Sequence, residues 1–123
     1  MKVHEQQKVL IIDDEQDVCF LFGKILRGRN LKTEYARNLA EAGVVLKGDP
    51  PEMIFLDNSL PDGQGIDFIP FLKKNFPGTR VIIVTANDSP WDKKKAMQQG
   101  ADDFLAKPLS LEQVYRTLDM LTI

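Results

Sequence analysis

The sequence predicts an α/β fold: a doubly wound, five-stranded parallel sheet, (βα)5, with helices on both faces. Two observations carry this. Five short apolar segments alternate along the chain with stretches of helical periodicity. Three of the five are near-continuous runs of Val, Ile, Leu and Phe, as in strands buried on both faces. Alternating β and α units imply parallel strands joined by right-handed crossovers. Five strands are too few for an eight-stranded barrel, which leaves a flavodoxin-like sheet of order 2-1-3-4-5.

The first strand is residues 8–13 (KVLIID). In the first helix, residues 15–29, an inward stripe is formed by Val18, Leu21, Phe22, Ile25 and Leu26. Cys19, Phe20 and Gly23 fall off that stripe. The second strand, residues 32–36 (KTEYA), alternates and is more polar, which suits a sheet edge. Asn38 caps a second helix with Leu39, Ala42 and Leu46 inward. The third strand is residues 52–57 (EMIFLD), and the third helix, residues 65–75, turns Ile66, Ile69 and Leu72 inward. Pro70 removes an amide donor and should kink that helix unless it lies near the true start. The fourth strand is residues 80–85 (RVIIVT). Ser89-Pro90 is an N-cap followed by proline at the first helical position, opening a helix that runs to about Gln99 and ends at Gly100. The fifth strand is residues 102–106 (DDFLA). Ser110-Leu111-Glu112-Gln113 is a capping box opening a fifth helix, with Leu111, Val114, Leu118 and Leu121 inward.

These units occupy residues 8–123, leaving residues 1–7 as a tail and no room for an output domain among the 123 residues. The composition, 43% hydrophobic and 28% charged, is that of a soluble globular chain. No apolar run approaches the roughly 20 residues of a membrane span, and the tail has no signal-peptide core. A cytoplasmic protein that does not touch a membrane is expected. A net charge of −2 argues against direct nucleic-acid binding. One cysteine and one histidine make neither an internal disulfide nor a zinc site. Cys19 has no basic neighbour to favour its thiolate and reads as inert, and His4 reads as part of the tail. No glycine-rich dinucleotide fingerprint follows a strand, and Asp62-Gly63 reads as a turn.

Chemistry collects at the strand ends. Such sheets bind ligands beyond the carboxyl ends of their strands, at the point where strand order reverses, here between the first and third strands. The first strand ends in Asp13-Asp14 followed by Glu15, the third in Asp57, the fourth in Thr85-Ala86, and the fifth runs out into Lys107-Pro108. Clustered carboxylates raise one another's pKa and call for a cation. An all-oxygen set with few protein ligands favours Mg²⁺. One carboxylate could then act as nucleophile towards a phosphoryl donor, with Lys107 and Thr85 serving the phosphoryl oxygens.

These residues resemble the receiver domain of two-component response regulators. The likeness runs from Lys8 to about Leu121. It rests on four pieces in order: the acidic pair after KVLII, Asp57-Asn58-Ser59-Leu60-Pro61 with Gly65, the strand ending Thr85-Ala86, and the stretch from Gly100 through Asp102, Phe104 and Lys107 to Pro108. The resemblance implies that Asp57 accepts a phosphoryl group from a sensor histidine kinase or histidine phosphotransfer protein. It implies that Asp14 binds Mg²⁺ directly, Asp13 mainly through water, and Ser59 through its main-chain carbonyl. Lys107 would pair with the phosphoryl group and precede a cis proline bond, and Thr85 and Phe104 would form the switch. The face made by the fourth helix, fifth strand and fifth helix, with Trp91, would change towards an unidentified effector or output domain. The chain would catalyse only its own phosphorylation and dephosphorylation, and so is not expected to be an enzyme acting on other molecules.

Departures from the family pattern are informative. Cys19, Phe20 and Gly23 stand where charged residues are common on the first helix. Phe20, Gly23 and Lys24, with Leu109, could form an apolar docking patch; alternatively Phe20 tucks against the loop after the fifth strand. The run Lys93-Lys94-Lys95 reads as a solvated face or as part of the output surface. Thr117 and Asp119 stand where a dimer through the last helix would want arginines. Ser59 and Asn87 flank the expected route of attacking water. The alternative is an interaction module with a receiver fold that works without phosphorylation, against which the complete acidic set, Thr85 and Lys107 argue. A haloacid-dehalogenase-type phosphatase would need a second acid where Ser59 stands.

Overall fold

The three apolar runs become strands with almost no solvent contact. In a computed structural model that describes residues 7–86 and 89–121, the order is β1 (Lys8–Ile12), α1 (Gln16–Arg27), β2 (Lys32–Ala36), α2 (Leu39–Val45), β3 (Met53–Asp57), β4 (Ser59–Leu60), β5 (Gly63–Gln64), α3 (Gly65–Asn75), β6 (Arg80–Thr85), α4 (Pro90–Gln98), β7 (Asp103–Ala106) and α5 (Leu111–Met120). The main sheet is parallel, in the order β2-β1-β3-β6-β7. Without the two-residue ribbon β4–β5, which the sequence did not reveal, this is the expected 2-1-3-4-5 order. His4, Asn87 and Ile123 lie outside the described residues.

Because side chains alternate across a strand, the sheet sorts them into two cores. Leu10, Ile12, Ile54, Leu56, Val81 and Ile83 meet Ala42 and Leu46 of the second helical segment, Ile66, Ile69 and Leu72 of α3, and Ala96 of α4. Val9, Ile11, Met53, Phe55, Ile82 and Val84 meet Phe22, Ile25 and Leu26 of α1 and Val114 and Leu118 of α5. Phe22 packs on Phe55 with ring centroids 4.6 Å apart. So α2, α3 and α4 cover one face, and α1 and α5 the other.

The helix starts follow their capping chemistry. The Oδ1 of Asn38 accepts from the Glu41 amide at 2.8 Å, and Ser89 Oγ accepts from the Asp92 amide at 3.1 Å. Ser110 and Gln113 make the reciprocal capping box. Asp62 does more than turn the chain: its carboxylate accepts from the Leu39 and Ala40 amides at 2.9 and 3.0 Å, a second cap on α2. That charge at a helix N-terminus is favourable, and the amides hold the Asp62 carboxyl below its usual range. Helix α3 continues through Pro70, which lies exposed in its second turn.

Three residues depart from the expected stripes. Leu111, expected inward, is 53% exposed because it opens α5 one turn before that helix reaches the core at Val114. Leu21, also expected inward, is 42% exposed at the rim of α1. Gly23, expected off the stripe, is buried: Tyr35 of β2 lies across it, and any side chain there would meet the Tyr35 hydroxyl. Thr117 is buried as well, donating to Asp103 Oδ2 at 3.2 Å, and Asp119 pairs with Arg29 at 2.9 Å. Thr117 therefore ties α5 to β7.

Candidate functional site

The carboxyl ends of β1, β3 and β7 bring Asp13, Asp57 and Lys107 together. Register explains why. Ile12 pairs with Leu56, so the next residues, Asp13 and Asp57, continue side by side. Alternation carries both towards the α1/α5 face. Lys107 follows from Leu105, which packs against the same core. Asp13 and Asp57 are 2% and 5% exposed. Asp14 is exposed, and one oxygen from each of Asp13, Asp14 and Asp57 lies within 4.8 Å of the others.

Lys107 answers this charge. Its Nζ lies 3.0 Å from Asp13 Oδ2, 3.0 Å from Glu15 Oε1 and 3.6 Å from Asp57 Oδ1. Its own amide donates to the Thr85 carbonyl at 2.8 Å, and the Lys107–Pro108 peptide is cis. The Glu15 amide donates to Asp13 Oδ1 at 2.9 Å, so Glu15 holds both members of the Asp13–Lys107 pair. Glu15 was visible in the sequence as a third acid, but its reach to a lysine 92 residues away was not.

The loop after Asp57 is fixed by its neighbours. The Asn58 amide donates to the Val84 carbonyl at 3.1 Å, and its own carbonyl accepts from Gly65 at 3.0 Å. Asn58 Oδ1 accepts from the Ile66 amide at 3.0 Å. Residue 65 must be glycine at this approach, since a Cβ there would run into the Asp57 carbonyl and Leu56 Cγ. The loop thus returns on itself and presents Ser59, exposed, beside the acidic cluster; its amide lies 3.4 Å from Asp57 Oδ1.

Burial and charge act together on the acids. Burial, reinforced by the charge of Asp13 and offset by Lys107, pushes the Asp57 carboxyl up to about 6. Burial also raises Asp13, against the Glu15 amide and Lys107. For Lys107 burial works against the charge, but hydrogen bonds to Asp13 and Glu15 outweigh it and hold the ammonium above the usual lysine range. Cys19, beneath Asp13, has its thiol pushed up to about 11 by burial and by that acid, which suits an inert thiol.

Thr85, 2% exposed, ends β6, and Phe104 is half-buried in β7. Phe104 pairs in register with Ile83, two residues before Thr85, and packs against the core under α2, α3 and α4. Thr85 and Phe104 therefore share the opposite face from Asp13, Asp57 and Lys107. Phe20 does not tuck against the loop after β7. It is 64% exposed, with Lys24 Nζ 4.8 Å from its ring centroid. Between α1 and that loop runs an open groove of about 430 Å³, lined by Glu15, Asp17, Val18, Leu21, Lys107, Pro108 and Leu109.

The arrangement suits a hard cation and a phosphoryl group. Three clustered carboxylates could supply oxygen ligands, and a half-buried ammonium sits beside the two that are sheltered, Asp13 and Asp57. A family model described as the response regulator receiver domain matches residues 9–119. The response regulator protein PilR of Pseudomonas aeruginosa is 39% identical over 106 residues, covering 86% of this chain and 24% of PilR. The KDP operon transcriptional regulatory protein KdpE of Escherichia coli is 34% identical over 110 residues, covering 89% of this chain and 48% of KdpE. The chain thus spans less than half the length of these relatives. Among solved structures, the beryllofluoride-activated NtrC4 receiver domain dimer is similar with a TM-score of 0.88 and 35% identity over 93% of this chain and 94% of that one. A response regulator from Burkholderia pseudomallei, with a phosphorylated aspartic acid, calcium ion and citrate, is similar with a TM-score of 0.85 and 27% identity over 92% of this chain and 66% of that one.

Proposed function

The chain belongs to the response regulator receiver domain family, and from this we propose that Asp57 is its phosphoacceptor, loaded by a sensor histidine kinase or a histidine phosphotransfer protein. The observation that carries the proposal is the sheltered Asp57 carboxylate, with Lys107 Nζ at 3.6 Å and two further acids within ligand distance. One Asp57 oxygen attacks the donor phosphorus. The P–N bond to the donor imidazole breaks, and the imidazole leaves with the electron pair and takes a proton, leaving an acyl phosphate on Asp57.

Asp13, Asp14, Asp57 and the Ser59 carbonyl would hold Mg²⁺. They fit it: all are oxygen donors, and one ammonium leaves the acids under-neutralised. When bound, the ion supplies charge neutralisation and a template for phosphoryl oxygens. Lys107 pairs with the phosphoryl group. Thr85 reaches towards it across the sheet edge, and Phe104 follows into the space it leaves, so that a new dianion biases the α4, β7 and α5 surface. The donor's helical bundle docks on the exposed rim of α1, at Phe20, Leu21 and Lys24, with Leu109. Gly23 lies under Tyr35 and takes no part in that patch.

With a small-molecule phosphodonor and Mg²⁺, intact mass spectrometry should show the addition of one phosphoryl group. The addition should be absent in Asp57→Asn and after chelation of divalent ions. A mass unchanged with every donor would favour the phosphorylation-independent interaction module.

A further inference from the structure

Building on the phosphoacceptor reading, we infer that Glu15 is a releasable latch on Lys107, a positioning residue that sets how readily the lysine turns to an incoming phosphoryl group. A lysine ammonium has three N–H donors. Two short contacts, both 3.0 Å, go to Asp13 and Glu15, while Asp57 Oδ1 stands at 3.6 Å, beyond good hydrogen-bond range. In the resting protein the ammonium is thus held by the two acids that do not accept the phosphoryl group. The third donor is left facing Asp57 from 3.6 Å, so for the ammonium to close on a phosphoryl group there it must lengthen one of the two short contacts.

Burial decides which. The Asp13 side chain is 3% exposed, and its other oxygen is already engaged by the Glu15 amide. In the resting protein without a cation, parting it from Lys107 would strand a buried charge, which is expensive. The Glu15 side chain is 61% exposed and rehydrates when released, at the small cost of an exposed ion pair. Glu15 therefore lets go while Asp13 stays. Its grip is the part of the resting arrangement against which phosphoryl binding competes.

The test is a double-mutant cycle on binding of beryllofluoride, a phosphoryl mimic, in Mg²⁺, followed by ¹⁹F NMR. Glu15→Gln should tighten binding roughly two- to fivefold, the span of an exposed ion pair. In a Lys107→Gln background the same change should have no effect, because the latch has nothing to hold. Equal affinity for Glu15→Gln and the unaltered protein would overturn the latch. So would an equal gain in both backgrounds, which would mean that Glu15 simply repels the anion. Failure of the unaltered protein to bind beryllofluoride at all would instead overturn the phosphoacceptor reading, and the latch with it.

Discussion

Gly65 shows how a single residue can set the site. Its missing side chain lets the start of α3 lie against the Asp57 carbonyl. Gly65→Ala should cost about 1–3 kcal/mol by overpacking, measured by urea denaturation, and should slow phosphorylation by displacing Asp57. Asp57 itself carries a cost. Its carboxyl titrates at about 6 in the folded protein against an ordinary 3.8, so the folded state binds the proton more tightly than the unfolded chain. The resulting stability is fully present below the ordinary value and is lost as pH rises through about 6. Without divalent ions, Asp57→Asn should therefore stabilise the protein at neutral pH by about 1–3 kcal/mol, from the size of the shift. The difference should close as pH falls towards 4, as read from denaturation midpoints. Asp57 was legible from its place at the end of an apolar strand. The stapling role of Asn58 was not, because its partners Val84 and Ile66 come from elements that only the fold brings near.

At the scale of elements, the helices are anchored unequally. Helix α1 buries Phe22, Gly23, Ile25 and Leu26, and α3 buries Gly65, Ile66, Ile69 and Leu72, but α4 buries only Ala96. Its sequence, PWDKKKAMQ, leaves Trp91 75% exposed. Helix α4 should thus have the least protected amides of these three in hydrogen exchange. Ser89→Ala, which removes its cap, should cost about 1 kcal/mol or be felt mainly as faster exchange within α4. The caps at Asn38, Ser89 and Ser110 were all legible, since capping is a local matter of side chain and next turn. Errors fell where a distant element decides exposure. Tyr35 of β2 covers Gly23, and the core ends before it reaches Leu111.

Over the whole molecule, the sheet order followed from the alternation of apolar strands with helices, and the site followed from the order. Docking belongs to this scale, because the exposed rim of α1 and the loop after β7 meet only in the folded chain. Phe20→Glu should slow phosphotransfer from the cognate histidine protein by on the order of tenfold, while loading from a small-molecule donor stays unchanged; stopped-flow or radiolabel transfer assays would separate the two. The division of the sheet carries one more consequence. Asp13, Asp57 and Lys107 face α1 and α5, whereas Thr85 and Phe104 face α2, α3 and α4. If Asp57 is loaded as proposed, the change is written on one side of a wall and felt at Phe104 on the other, while α5 shares the side of the loading helix α1 and still belongs to the surface that would be read.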